Sequence, residues 1–413
     1  MSARLRASRC GTASVAMSSG VIGGLADIRR VDASFRRVYP QIRSFCPPSS
    51  EAERALADLL KASLDRREVV LTQSGTAALF LVLRLLAEGR PFAPEVILPA
   101  LCCRAVYYAA LAAGCRPVLA DSRAEDGNLD PASVEAALSP PRTVAIVAVH
   151  LYGRRPPLEA LHSLAERESI FLLEDAASAL GASSFGPGGA VVVSLGRGKI
   201  LSAGGGGAIA TDDGDLAQAV RNLTADLRAH HPTPTEQRRF CLPIVAWGAG
   251  GRGPWPWVDW AAAHAPRALR WWWSQPMSAW QVERALRRWP SLPARVARRM
   301  QAARRYRALL SGSAVQVLGA EDADGVVWRL PVLLPDGQAR ARAGRLLLTH
   351  GVFPAALYEP LSRVFPQAER APSLAVAEGI GKRVLALDVS PRATDERIAL
   401  TARLLREAAA KSP

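Results

Sequence analysis

Short apolar runs alternate with segments of helical periodicity along the chain from about residue 68 to residue 211. Apolar runs of about four to eight residues between turn signals are typical of buried strands, whereas apolar positions recurring every three to four residues predict helices. We predict strands over 68–71, 96–98, 117–120, 143–149, 170–173, 190–193 and 208–211, and helices over 76–86, 104–113, 131–138 and 158–168. Fully apolar strands that alternate with helices indicate a mainly parallel sheet covered on both faces.

This alternation stops over residues 223–275, which are rich in Pro, Gly and Trp and have no clear period. The pattern then predicts a helical segment over 278–310 that is interrupted near its prolines, strands over 326–334 and 384–387, and a helix over 341–350. We therefore expect an N-terminal arm over 1–50, a large domain over 51–275 and a smaller α+β C-terminal domain over 276–413.

Composition narrows the class of protein. The 413 residues are 49% hydrophobic and 22% charged, which is typical of a globular protein with more than one domain. No run of about 18 uncharged apolar residues is present, so we expect no membrane span. The six cysteines include no C-x-x-C pair and no zinc-like spacing with histidines, so we expect free thiols, no metal site and a cytoplasmic location.

The net charge of +15 raises the question of a nucleic-acid partner. The arginines, however, are spread along the chain and form no recognisable nucleic-acid-binding module. We therefore expect no nucleic-acid partner, and we expect attraction to small anions such as nucleotides instead.

Lysine is nearly absent, and one of its few copies stands in an unusual place. Of the 52 Lys and Arg residues only four are lysines: Lys61, Lys199, Lys382 and Lys411. Lys199 lies in a glycine-rich stretch, shortly before the glycines of 204–207. An amine can lose its proton and attack a carbonyl group, which a guanidinium cannot do. Lys199 is thus a candidate Schiff-base lysine, the alternative being a lysine in an exposed loop.

Polar residues follow three of the predicted strands at their carboxyl ends, where ligands bind in such sheets. Ser74-Gly75-Thr76 opens a helix and suits a phosphate, although a simple helix N-cap explains it too. Asp175 ends a buried strand, with helix capping as its alternative role. Ser194 ends another strand, where it is either a phosphate ligand or a turn residue. A lysine, a carboxylate and a helix N-terminus with hydroxyls are what pyridoxal 5'-phosphate (PLP) requires.

At this point the chain resembles the DegT/DnrJ/EryC1/StrS sugar aminotransferases, which are PLP-dependent and of fold type I. The resemblance extends over about residues 66–222, and more faintly over 276–390. Five blocks match in order: Ser74 to Leu79, Val96 to Pro99, His150 to Gly153, Glu174 to Ala182, and Ser194 to Ala208; Pro276 to Gln281 resembles the family's M-S-E-L-Q helix start. The resemblance implies a three-layer large domain, Lys199 as the internal aldimine and Asp175 as the partner of the pyridinium nitrogen.

The chain departs from the family pattern around this expected site. Cys103 stands where the family usually has an aromatic residue that stacks on the cofactor. Ser178 replaces a glutamine that contacts the cofactor, Gly205 replaces an acidic residue, and Leu195 replaces a phenylalanine. By resemblance, Ser178 and Cys103 remain candidate cofactor-binding residues beside Gly75, Thr76 and Ser194. These departures affect the expected substrate and rate more than the expected cofactor.

The resemblance implies an aminotransferase that acts on a keto-sugar, in our interpretation a nucleotide-linked one, with an amino donor such as glutamate. The family's active sites form between two subunits, so we expect a homodimer in which Asn222 reaches the partner's phosphate. Two alternatives stay open. One is a PLP-dependent lyase or dehydratase, against which the presence of Lys199 argues. The other is a non-catalytic descendant that serves as a binding subunit.

Two further signals have weaker interpretations. Nine of the ten tryptophans lie between Trp247 and Trp289. They suggest packing against the small domain or a partner subunit, contact with a lipid-linked substrate at a membrane, or stacking on a sugar. Gly248, Gly250 and Gly253 have dinucleotide-site spacing without the strand-turn-helix context, so we expect no such site there.

Overall fold

The computed structural model describes residues 48–231, 233, 235–236, 266–319, 325–353 and 358–410. Several sequence-based expectations lie outside these residues. They concern most of the N-terminal arm, Cys10, Cys46, Cys241, the glycines at 248, 250 and 253, the tryptophans before residue 266, and Lys411.

Eleven strands occur among the described residues. They are β1 (Glu68–Thr72), β2 (Glu95–Pro99), β3 (Arg116–Ala120), β4 (Thr143–Val149), β5 (Phe171–Asp175), β6 (Ala190–Ser194), β7 (Gly207–Thr211), β8 (Gln316–Val317), β9 (Leu330–Leu333), β10 (Glu369–Arg370) and β11 (Val384–Leu387). The seven strands predicted before residue 212 are all present, with ends that differ by at most two residues.

The larger sheet has eight strands in the order β1-β7-β6-β5-β4-β2-β3-β10. Strands β2 to β6 pair with one another in parallel, whereas β7 is antiparallel to both β6 and β1. Every residue of the central strand β4 is buried, as is every residue of β2, β6 and β7. Such apolar strands need helices on both faces, and the prediction of a mainly parallel α/β sheet is confirmed.

Side-chain caps begin several of the thirteen α-helices that occur among the described residues. The helices are α1 (Ser50–Leu64), α2 (Gly75–Ala87), α3 (Arg104–Ala113), α4 (Pro131–Ala137), α5 (Leu158–Arg167), α6 (Gly214–Ala229), α7 (Pro266–Trp273), α8 (Ala279–Arg288), α9 (Leu292–Leu310), α10 (Gly337–Thr349), α11 (Leu361–Val364), α12 (Ala375–Arg383) and α13 (Asp395–Ala410). The predicted cap Asp130 accepts a hydrogen bond from the Ala132 N–H of α4. A short 3-10 turn at Trp289–Ser291 separates α8 from α9, at the predicted interruption.

The smaller sheet consists of β11, β9 and β8 in that order, and all its pairs are antiparallel. Its core joins α9, α10 and α13 through side chains such as Tyr306, Leu347 and Leu405. The strand predicted over 326–334 is wrong in its first half, because only Leu330–Leu333 is a strand. Residues 326–328 instead bond through their backbone to the turn at Tyr152 and Gly153, next to the large sheet.

Two sets of contacts cross the domain boundary that we predict at residue 276, one of apolar side chains and one of hydrogen bonds. In α8, Val282 and Ala285 pack in one core cluster with Leu56 of α1 and Val191 of β6. At the other edge of the sheet, the carboxylate of Asp121 accepts hydrogen bonds from the first N–H groups of α12. The C-terminal part of the chain is thus anchored on the large sheet at both sides, and the domain boundaries stay a prediction.

Candidate active site

The polar segments singled out in the sequence meet at one edge of the large sheet. Strands β5 and β6 are parallel, and β1 is parallel to β6 because both pair antiparallel with β7. The segments after β1, β5 and β6 therefore leave the sheet on the same side, next to the start of β7. Backbone contacts join them there, since the N–H of Gly206 donates to the carbonyl of Gln73 at 2.9 Å.

The start of α2 forms a cradle that leaves no room for a side chain. Ser74 is the N-cap, and its hydroxyl accepts a hydrogen bond from the Ala77 N–H at 3.1 Å. A Cβ atom on Gly75 would lie 2.9 Å from the Cβ of Ser194, so only glycine fits between helix and strand. The hydroxyl of Ser194 accepts from the Gly196 N–H at 3.2 Å. Gly75, Thr76 and Ser194 are brought together at a helix N-terminus, which favours an anion such as phosphate.

Lys199 lies in this edge cluster and is partly buried. Its Nζ donates a hydrogen bond to the Oγ of Ser178 at 2.9 Å. Burial lowers the pKa of Lys199, and the neighbouring Cys103 and Asp175 oppose that effect. A lowered pKa increases the fraction of neutral amine near neutral pH, and the neutral amine is the form that attacks carbonyl groups.

Asp175 is the last residue of β5 and only 5% exposed. Its Oδ1 accepts the N–H of Ala177 at 3.0 Å, and no helix begins between residues 176 and 189, so a helix-cap role is wrong. Burial raises the pKa of this carboxyl, while the bond from Ala177 and the charges of Lys199 and His150 lower it. A cation placed against this carboxylate would offset the cost of its burial.

The adjacent Glu174 has different partners, because successive side chains on a strand point to opposite faces. Its Oε1 lies 2.6 Å from Nε2 of His150, and its Oε2 accepts the N–H of Gly186 at 2.9 Å. Both side chains are fully buried. The backbone N–H of His150 in turn donates to the carbonyl of Asp175 at 2.9 Å. This bonded pair holds the end of β5 against the segment after β4.

Cys103 lies within the same cluster, at the N-cap position of α3, where it makes no side-chain cap bond. Burial raises the pKa of its thiol, and the charges of Lys199 and Asp175 act on it. The structure thus brings Cys103 and Ser178 to Lys199 and Asp175, next to Gly75, Thr76 and Ser194.

Asn222 is placed elsewhere in this chain. Strand β7 runs away from the edge that carries Lys199, so α6 begins beyond the opposite edge of the sheet. Asn222 is exposed on α6, and its Oδ1 accepts a hydrogen bond from Nε2 of Gln218 at 2.9 Å. Its expected contact with a partner subunit stays a prediction.

Two aromatic residues at this site, Trp328 and Tyr358, were missed by sequence reasoning, whereas Tyr152 belongs to the His150 to Gly153 block. The ring of Trp328 lies 4.7 Å from the Nζ of Lys199. The ring of Tyr358 lies 5.1 Å from that of Tyr152 and 6.4 Å from that of Trp328. Burial raises the pKa of the Tyr358 phenol, and its interaction with the Ser178 side chain opposes that effect. One signal was available, since Trp328 is the single tryptophan outside the cluster at 247–289.

Two tryptophans of that cluster, Trp273 and Trp280, pack against other residues of this chain. Trp273 is 4% exposed and lies 5.4 Å from Phe80 of α2, between ring centroids. Trp280 is 41% exposed and packs against Gly204. Trp273 therefore contributes to the hydrophobic core beside the large sheet rather than to a surface for a partner.

Two absences hold for the described ranges. No group of three or more His, Cys, Asp and Glu side chains there has an arrangement that would hold a metal ion. Within the same ranges, no helix has the length and apolar character needed to cross a bilayer.

Comparisons with known proteins give the family and the fold that this chain resembles. Residues 41–241 match the model of the DegT/DnrJ/EryC1/StrS aminotransferase family. The GDP-perosamine synthase of Caulobacter vibrioides is 36% identical over 200 residues, which cover 47% of this chain and 50% of the relative. The L-glutamine:2-deoxy-scyllo-inosose aminotransferase of Micromonospora echinospora is 39% identical over 170 residues, which cover 40% of this chain and 39% of the relative. The match thus spans half or less of these curated relatives.

Solved structures extend the likeness to nearly the whole chain. Streptomyces venezuelae DesV, solved in complex with a ketimine intermediate, is 26% identical with a TM-score of 0.70, over 94% of this chain and 96% of that protein. The fold is therefore that of the PLP-dependent aminotransferases, and the fold predicted from the sequence is confirmed.

Proposed function

We propose that this chain is a PLP-dependent aminotransferase of the DegT/DnrJ/EryC1/StrS family that acts on a keto-sugar, and the match of residues 41–241 to the family model supports this. The observation that carries this proposal is the position of Lys199. Its amine is partly buried, bonded to Ser178 and close to Asp175, at the sheet edge where α2 presents its N-terminus. These donors and charges fit a phosphorylated pyridine aldehyde.

Each group has a distinct task in this proposal. The first turn of α2 with Gly75, Thr76 and Ser194 would bind the phosphate, because N–H groups and hydroxyls converge there. Asp175 would keep the pyridine nitrogen protonated, since a buried carboxylate stabilises a cation beside it. Bound in this way, PLP supplies an electron sink that lets a substrate C–H bond lose its proton.

Lys199 would carry the cofactor and then move the proton. Once the amino donor displaces it, its neutral amine can take the proton from one carbon and return it to another. Ser178 accepts the hydrogen bond of Lys199 at 2.9 Å, so its hydroxyl orients the amine. In this interpretation the serine that replaces the family's glutamine contacts the lysine.

The relatives suggest which substrates to assay. One is named for a GDP-linked product and another for L-glutamine and 2-deoxy-scyllo-inosose. We propose a nucleotide-linked keto-sugar as the acceptor, with glutamate and glutamine as the donors to compare.

Transfer of an amino group tests the proposal. The PLP-loaded protein should lose its yellow colour with the correct amino donor and regain it with a keto-sugar, whose carbonyl oxygen is replaced by an amino group. Mass spectrometry of the sugar identifies that product. A dehydrated or cleaved product would instead favour the lyase or dehydratase alternative. A PLP-free protein that binds sugars without reaction would favour a binding subunit.

We further propose a homodimer, in which Asn222 of one subunit approaches the phosphate site of the other. Sedimentation velocity of the PLP-loaded protein should give the mass of two chains at the concentration used in the assay. A PLP-loaded monomer that transfers amino groups at the full rate would contradict the shared site.

A further inference from the structure

Three hydrogen bonds fix the position of Trp328. Its backbone N–H donates to the carbonyl of Tyr152 at 2.8 Å, and its carbonyl accepts from Nη1 of the buried Arg299 at 2.6 Å. Its indole Nε1–H donates to the carbonyl of Gly198 at 2.7 Å. The third bond joins the indole to the residue immediately before Lys199. The orientation of the ring is therefore set at both its backbone and its edge.

The turn at Gly153 is shaped to receive this segment. Gly153 has a φ of +95°, and a Cβ atom there would lie 2.5 Å from the carbonyl oxygen of Val326 and 2.9 Å from the nitrogen of Trp328. Any other residue at 153 would displace residues 326–328. The glycine that ends the His150 to Gly153 block is thus required by the docking of Trp328, which comes from the C-terminal part of the chain.

The face of the indole is turned toward the lysine amine. The Nζ of Lys199 lies 4.7 Å from the ring centroid, within the range of cation–π attraction. The electron-rich face of the ring attracts an ammonium group more than a neutral amine. Trp328 is 9% exposed, so little water screens this attraction.

We propose that Trp328 is the positioning residue of Lys199, whose free amine it holds against its ring while its Nε1–H holds the loop at Gly198. The proposal rests on the proposed function, because it matters wherever the amine is free: before PLP binds and after an amino donor displaces the lysine. Ser178 and Trp328 then hold the amine through two different attractions, a hydrogen bond and a ring face.

Two substitutions separate the ring face of Trp328 from its Nε1–H. Trp328→Phe keeps a ring face and removes the Nε1–H, whereas Trp328→Leu removes both. Trp273 supplies the matched control, because it is a tryptophan 4% exposed that packs on Phe80 instead of on a lysine. Trp273→Leu therefore reports what the loss of a buried indole does by itself.

The readout is the protonation of Lys199 in the full-length protein freed of PLP. Trace reductive methylation with formaldehyde, followed by peptide mass spectrometry across pH, gives the midpoint for Lys199, with Lys61 and Lys382 as internal references. In Trp328→Leu we expect this midpoint to fall by about half a unit to one pH unit, because the ammonium loses its attraction to the ring. In Trp328→Phe the shift should be less than half as large.

PLP affinity gives the second readout. Trp328→Phe should weaken PLP binding about fivefold, as expected for one lost hydrogen bond that orders the loop. Trp273→Leu should lower the melting temperature while leaving the Lys199 midpoint and the PLP affinity unchanged. If Trp328→Leu does not fold, Trp328→Met, which is closer in volume, replaces it.

An unchanged or raised Lys199 midpoint in the folded Leu or Met variant would overturn the proposal and leave Trp328 a structural residue. Failure of the proposed function has a different signature. In that case the parent protein would form no borohydride-fixed adduct between PLP and Lys199, although the methylation midpoints would still measure the effect of Trp328.

Discussion

Lys199→Ala should abolish the covalent attachment of PLP and lower the rate of amino transfer by at least about 10³-fold. Two functions are lost together, since the same amine binds the cofactor and moves the proton. The partly buried position, the lowered pKa and the bond to Ser178 distinguish this lysine from a surface one. Borohydride reduction followed by peptide mass spectrometry detects the attachment directly.

Matched variants decide whether the amine itself is responsible. Lys199→Arg keeps a cation but cannot attack an aldehyde, so it should fail like the alanine variant. Lys382 is exposed on α12, and Lys382→Ala should retain the adduct and the parent rate. An adduct that persists on Lys61 or Lys382 after Lys199 is removed would contradict the assignment.

The strands and their order of appearance could be predicted from the sequence because their signals are local. Apolar runs such as 143–149 read as buried strands without knowledge of their neighbours, and β4 has those bounds. The strand predicted over 326–334 is wrong in its first half because its signal, too, is only local. Val326 to Trp328 are as apolar as a strand, but they pair with the turn at Gly153, more than 170 residues earlier in the chain.

The residues of the candidate site also fall into two groups, those that local patterns predict and those that only tertiary packing brings in. Gly75, Asp175, Ser194 and Lys199 follow strands that share a sheet edge, so their proximity could be inferred from the alternation of strands and helices. Trp328 and Tyr358 come from the C-terminal part of the chain and reach Lys199 only through tertiary packing. No spacing in the sequence relates them to the lysine.

The structure shows the surroundings of three residues that depart from the family pattern, Gly205, Ser178 and Cys103. Gly205 lies where a Cβ atom would be 2.2 Å from Nε2 of Gln281, so that side chain occupies the space. Ser178 contacts the lysine amine, and Cys103 lies close enough to Lys199 and Asp175 for their charges to act on its thiol. The aromatic ring next to the lysine comes from Trp328, with Tyr358 beside it, instead of from position 103.

Asp175→Asn should slow amino transfer by about 10²- to 10³-fold and weaken the retention of PLP. A neutral amide of the same size cannot stabilise a protonated ring nitrogen, although it can still accept the hydrogen bond from the Ala177 N–H. The fold should therefore survive while the chemistry suffers. Stopped-flow measurement of the half-reaction with the amino donor, combined with PLP titration, separates rate from affinity.

Asp121 provides the matched control for this carboxylate. It lies directly after the parallel strand β3, is 7% exposed and accepts backbone N–H groups, two of which belong to the first turn of α12. Asp121→Asn should lower the stability by about 1 kcal/mol and leave the half-reaction rate unchanged, because its carboxylate serves a helix N-terminus. If Asp175→Asn shows the same pattern, a loss of stability with a half-reaction within a few-fold of the parent, then Asp175 is a structural residue of the turn at 175–177, and the charge beside the cofactor must come from another group.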